Sequence, residues 1–113
     1  MAYTTKFKGA LKFTNTISMP EVIELKTILG EYNDRLDTYV DFELLSDYSG
    51  IKHNNAEKSY KTVEAVNLII THMHKKFPDF GLSGRLLAQG EEIGDVWYLV
   101  IKDNVAIEER IIV

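Results

Sequence analysis

The sequence predicts an α+β fold. The expectation is a mostly antiparallel sheet of about five to six strands with two helices on one face, in the order β-α-β-β-α-β-β-β around a ferredoxin-like core. Three patterns carry it. Val63, Val66, Ile70, Met73 and Phe77 recur at steps of three and four residues, the spacing of one helical face. Residues 3–13 alternate between apolar and lysine positions, as a strand with one buried face does. After Pro78 the chain is rich in β-formers and punctuated by turn residues up to Val113.

Taken in order, Tyr3 to Phe13 reads as one strand with Phe7, Leu11 and Phe13 on its buried side. Lys6, Lys8 and Lys12 line its open face or a sheet edge, where lysines discourage edge-to-edge pairing. Ser18 followed three residues later by Glu21 is a capping box, and it predicts a short helix over residues 19–29 with Val22, Leu25, Ile28 and Leu29 inward and Gly30 as its stop. Residues 31–37 form a polar connection. Thr38 to Ser46 alternates again, which turns Val40, Phe42 and Leu44 inward and Asp41 and Glu43 outward. Asp47-Tyr48-Ser49-Gly50 has turn composition, and Ile51 to His53 is the short return strand of a hairpin. The second helix is expected from about Glu57 to Phe77; His72, His74, Lys75 and Lys76 suit its negative end, and Pro78 closes it. Leu82 to Gln89 is a strand with Leu82, Gly84, Leu86 and Ala88 on one face. Residues 90–95 connect it to a β-prone run, Val96 to Ile101, expected at the sheet centre. Lys102-Asp103-Asn104 turns into a last strand, with Val105, Ile107 and Ile111 inward.

The chain of 113 residues fits a single α+β domain, 1–113. There is no cysteine, so disulfides, thiolate metal sites and thiol catalysis are excluded. The N-terminal residues carry no apolar leader, and the longest apolar run is far below the roughly 20 residues of a membrane span. A cytoplasmic protein with no membrane partner is the expectation. Net charge is −4, with a surplus of +2 over residues 1–30, −4 over 31–60, +1 over 61–80 and −3 over 81–113. That acidic balance argues against direct nucleic-acid binding, which needs a concentrated cationic face. The acidic stretches suit a basic protein partner.

No catalytic constellation stands out. His72 and His74 are two apart on a helix and point in nearly opposite directions, and His53 lies in another element without a ligand partner in sequence. Surface or helix-end histidines are the expectation, with no metal. Asp41 and Glu43, or Glu91, Glu92 and Asp95, could build a magnesium site or an acid–base pair. No phosphate-cradling loop, dinucleotide motif or nucleophile elbow accompanies them. No catalytic residue and no cofactor is therefore assigned. Trp97 and Tyr98 occupy opposite faces of one strand, so a single helical layer leaves one ring exposed, and exposed aromatic rings are favoured anchors at protein interfaces. Self-association as a homodimer through that sheet face is a further possibility.

The motifs Asp47-Tyr48-Ser49-Gly50-Ile51-Lys52, Glu57-Lys58-Ser59-Tyr60, Phe80-Gly81-Leu82-Ser83-Gly84 and Leu87-Ala88-Gln89-Gly90-Glu91-Glu92 resemble small proteins of tailed bacteriophages and prophages. The likeness spans most of the chain; His53 stands where that pattern has tryptophan. The resemblance implies a phage accessory protein in the bacterial host cytoplasm. Such proteins often bind and block a host complex, including CRISPR and restriction machines. The leading expectation is a non-enzymatic, protein-binding inhibitor of anti-CRISPR or anti-restriction type. Its contact residues are expected to be Tyr48, Glu91, Glu92, Asp95 and Trp97, the carboxylates meeting cationic partner surfaces and the rings anchoring. A small metal-dependent hydrolase or nucleotide-processing enzyme using Asp41, Glu43 and the turn carboxylates is the second reading, and a structural component of the phage particle the third.

Overall fold

A computed structural model gives the fold of residues 5–29, 32–33, 38–54, 61–90 and 94–110. The strands are β1 (Lys6–Lys8), β2 (Leu11–Phe13), β3 (Tyr32–Asn33), β4 (Thr38–Tyr39), β5 (Phe42–Leu44), β6 (Gly50–His53), β7 (Leu82–Gln89), β8 (Val96–Lys102) and β9 (Val105–Arg110). The helices are α1 (Met19–Ile28) and α2 (Thr62–Lys76). Seven strands form one antiparallel sheet in the order β5-β6-β2-β7-β8-β9, with β1 pairing the far half of β7; β3 and β4 make a separate ribbon. This is the expected α+β architecture with more strands than the sequence pattern implied. The run β5-β6-β2-β7 reproduces the antiparallel strand order of a ferredoxin-like core, and β8 and β9 extend it on one side.

The N-terminal alternation holds, but the strand is interrupted. Gly9 sits at φ +101, a conformation that side chains rarely adopt, and separates β1 from β2. The register does not slip across the break: Lys8 faces Leu87 and Leu11 faces Gly84, three residues on along each strand. Phe7 and Leu11 therefore stay on the buried side and the lysines on the open one.

Both helices contribute to one core. Leu25 and Ile28 of α1 and Val66, Ile69, Ile70 and Met73 of α2 join Leu11, Phe42, Ile51, Leu86 and Leu99 of the sheet in a single cluster. α1 starts as expected: Ser18 Oγ accepts from the Glu21 amide, and Glu21 Oε1 accepts from the Ser18 amide at 3.1 Å. It ends at Ile28, where Leu29 leaves in extended geometry; Gly30 lies outside the described residues. α2 begins at Thr62, later than the expected Glu57, because Lys61 adopts the left-handed conformation (φ 52), which a helix interior excludes. Its buried stripe is also wider than the five-residue pattern and takes in Thr62, Ala65 and Ile69.

Three expectations on the strands require correction. Val105 and Ile107 do not face the core; Ala106 does. Asp103 and Asn104 both have positive φ, 51 and 62, which makes a tight two-residue hairpin turn. That turn fixes Lys102 opposite Val105 and Ile101 opposite Ala106, so β9 inherits the phase of β8. Ile111 lies outside the described residues. Asp41 is buried rather than outward, at 6% exposure. The chain is not a continuous strand there: the Phe42 amide donates to the Val40 carbonyl at 2.9 Å, and this tight turn breaks the alternation between β4 and β5. Finally, β7 and not β8 is the central strand, flanked by β1 and β2 on one side and β8 on the other.

At Ala106 the outer edge of β9 is bonded by a side chain. Asn67 of α2 donates through Nδ2 to the Ala106 carbonyl at 3.0 Å and accepts from the Ala106 amide through Oδ1 at 2.8 Å. One amide thus mimics a strand partner at that position and ties α2 to the edge.

Candidate protein-binding site

The turn between β5 and β6 is held by its own side chains. Asp47 Oδ1 accepts from the Ser49 amide at 3.0 Å and from Ser49 Oγ at 2.6 Å. These bonds from Ser49 hold the Asp47 carboxyl below the usual aspartate range. Lys12 Nζ reaches Ser49 Oγ at 3.1 Å, and the Phe13 amide donates to the Ser49 carbonyl at 3.0 Å, so β2 buttresses the turn. Tyr48 at its tip has φ 59 and points its ring toward α1, where Lys26 Nζ donates to the phenol oxygen at 3.3 Å.

Between this turn and the start of α1 lies an open cleft of about 550 Å³. Phe13 and Ile17 form part of its wall, Val22 and Met19 come from α1, and Tyr48 stands on the opposite side. Met19 (62%), Ile23 (58%) and Tyr48 (40%) are among the most exposed large apolar side chains of the described residues. Met19, Ile23 and Lys26 follow one another at helical spacing on the outer side of α1, and Lys26 connects that stripe to Tyr48. Sequence reasoning singled out Tyr48 and missed Met19 and Ile23. Their signal was present: α1 carries apolar residues outside its buried set of Val22, Leu25 and Ile28.

The other expected contact residues lie elsewhere. Asp95 and Trp97 sit at the start of β8, across the sheet from Tyr48: Lys12, near the Tyr48 turn, faces Ser83, whereas Val96 faces Gln89. Ser83 and Gln89 are separated along β7 by about 20 Å. Asp95 Oδ1 accepts from Arg110 Nη1 at 2.6 Å, and Glu108 approaches the same guanidinium at 3.3 Å. Trp97 is half-buried on the helix-covered side, edge-on to Phe7 with ring centroids 5.7 Å apart. Tyr98 occupies the open face, 4.3 Å beneath the Arg85 guanidinium. Glu91 and Glu92 lie outside the described residues.

The carboxylates weighed for acid–base or metal chemistry are separated. Asp41 is buried, while Glu43 is exposed and paired to Lys52 at 3.3 Å. No group of three metal-ligating side chains occurs among the described residues. His53 is neither at the surface nor at a helix end: it is 5% exposed, stacked 4.3 Å from Phe7 and edge-on to Phe42.

Glu24 on α1 accepts from His72 Nε2 at 2.8 Å and Lys76 Nζ at 3.2 Å, joining the two helices. The His72 hydrogen bond chiefly holds its carboxyl below the ordinary glutamate value of 4.5, with Lys76 adding to it against an opposing effect of burial. A folded value below the unfolded one stabilises the native state at pH above the unfolded value. That contribution is lost as pH falls through the depressed folded value. Glu24→Gln is expected to cost about 0.5–1 kcal/mol at neutral pH and to flatten the acid limb of stability below about pH 4.5. Urea midpoints across that range check it; an unchanged acid limb would show that the interhelix pair contributes nothing.

No helix among the described residues is long and apolar enough to cross a membrane. Comparisons with models of protein families, with curated proteins and with solved structures found no match.

Proposed function

We propose that this chain is a non-enzymatic protein-binding accessory protein of a bacteriophage or prophage. It acts in the host cytoplasm by binding and inhibiting a bacterial defence complex of the CRISPR or restriction type. The observation that carries the binding reading is the Met19, Ile23 and Tyr48 surface beside the cleft. Apolar and aromatic side chains are there held in water by a capped helix and a bonded turn. A partner that covers them takes them out of water, and interface energy concentrates on buried anchors of this kind. The resemblance of the Asp47 to Lys52 and Leu87 to Glu92 motifs to phage proteins supports the biological setting. Asp95 and Trp97 form a second contact at the opposite end of the sheet in this reading, and Glu91 and Glu92, which lie outside the described residues, are assigned to the same contact from the sequence.

The test is a protection assay. Bacteria with an active CRISPR or restriction system express the chain and are challenged with a targeted phage. Plating efficiency is expected to rise. Tyr48→Ala combined with Met19→Lys is expected to weaken partner binding about tenfold or more and to abolish protection, while the thermal melt stays close to that of the parent. Glu91→Lys with Glu92→Lys is expected to weaken partner binding in the same assay without unfolding the domain. Absence of protection by the parent chain against both kinds of system would sink the proposal.

A further inference from the structure

The helices cover one face of the sheet, and no described helix lies on the other. Strand register sorts the open face into two zones. Over β1, β2 and β7 stand Lys6, Lys8, Lys12 and Arg85, all exposed and none in an ion pair among the described residues. Over β7, β8 and β9 stand Leu87 opposite Tyr98 and Val100 opposite Ile107, each half-buried. The other charged residues of this face largely cancel: Glu43 pairs with Lys52 at 3.3 Å and Lys102 with Glu109 at 3.5 Å. A chain of net charge −4 therefore gathers four exposed cations beside an aliphatic strip on one surface, and among the described residues only Lys12 has a carboxylate, that of Asp47, acting on it.

From this juxtaposition we infer that the open face docks an acidic segment of a partner protein, its carboxylates over β1 and β2 and its aliphatic side chains over β8 and β9. The inference rests on the protein-binding reading and assigns a partner chemistry that the linear charge distribution conceals. Charge complementarity calls for an anionic occupant. Two features favour a polypeptide over single-stranded nucleic acid. Tyr98 is the only aromatic side chain of this face among the described residues, and the Arg85 guanidinium 4.3 Å away covers its ring. The remaining apolar side chains are aliphatic and offer no stacking platform for bases. The like charges of the four cations also disfavour burial of this face against the same zone of a second copy.

The experiment measures fluorescence anisotropy of two labelled probes with the full chain. One is a peptide of four glutamates followed by four leucines and valines, and the other is an oligothymidylate of about 12 nucleotides. The peptide is expected to bind, more weakly as salt rises through the range where the Debye length falls below about 10 Å. Lys12→Glu with Arg85→Glu is expected to weaken it about tenfold or more, and Ile107→Asp to weaken it with less change in salt dependence. Lys75→Glu, on the exposed end of α2, should leave it unchanged. Tighter binding of the oligothymidylate, a dimer in sedimentation, or peptide binding insensitive to Lys12 and Arg85 would each overturn the inference. Protection retained by the Lys12→Glu, Arg85→Glu variant after peptide binding is lost overturns the inference alone. Peptide binding through Lys12 and Arg85 without protection overturns the defence-inhibitor reading alone.

Discussion

Gly50→Ala is expected to destabilise the domain by roughly 3 kcal/mol or more and to disorder the Tyr48 turn. The cause is not left-handed backbone but approach. A methyl group on Gly50 would fall on the Leu11 carbonyl oxygen, with the Leu11 carbonyl carbon and the Lys12 Cα each 3.0 Å away. All three are backbone atoms of β2, so no rotamer change relieves the overlap. β6 must separate from β2, which puts at risk the Leu11–Ile51 pairing and the bond from the Phe13 amide to the Ser49 carbonyl that seats the turn. Denaturant melts measure the stability loss, and the protection assay measures the functional one. A Gly50→Ala variant as stable as its parent would show that the two strands do not approach this closely.

Phe42→Ala is expected to cost about 3–5 kcal/mol. Phe42 is 1% exposed, lies edge-on to His53 with centroids 5.2 Å apart, and belongs to the single core shared by both helices and the sheet. Removing its ring leaves a cavity that strands paired on β6 cannot collapse to fill. For a domain of this size the loss corresponds to a melting shift of roughly 10–20 °C. Val105→Ala is the informative contrast, because Val105 is 50% exposed on the open side of β9 and its truncation is expected to change stability by no more than about 0.5 kcal/mol. A large loss at Val105 and a small one at Phe42 would mean that β9 has the opposite phase and the core a different boundary.

Legibility followed the range of the physical signal. The capping box at Ser18 and Glu21 acts over three residues, and the helix start it predicts is the one the structure shows. Leu82 to Gln89 alternates over eight residues, and both predicted ends coincide with those of β7. The interruption at Gly9, the tight turn at Val40 to Phe42 and the late start of α2 were not legible. Each depends on a backbone conformation that neighbouring elements impose. The phase of β9 failed for a related reason: Val105 and Ile107 are more apolar than Ala106, but the Asp103-Asn104 turn, and not hydropathy, decides which residue faces α2. At the candidate site Tyr48 was legible as a turn aromatic, whereas its distance from Asp95 and Trp97 was not.

Local periodicity and residue chemistry at fixed spacing are enough to specify the two helices, the turn at Asp47 to Gly50, the main strands and most of the apolar residues that close the core. Which faces remain bare follows from packing in three dimensions. The exposed stripe of Met19 and Ile23 is defined by what α1 does not touch. The cationic surface of Lys6, Lys8, Lys12 and Arg85 exists because strand pairing brings together residues that lie up to about eighty positions apart in a chain of opposite net charge. Pairing is a non-local contact, and no window along the chain contains it.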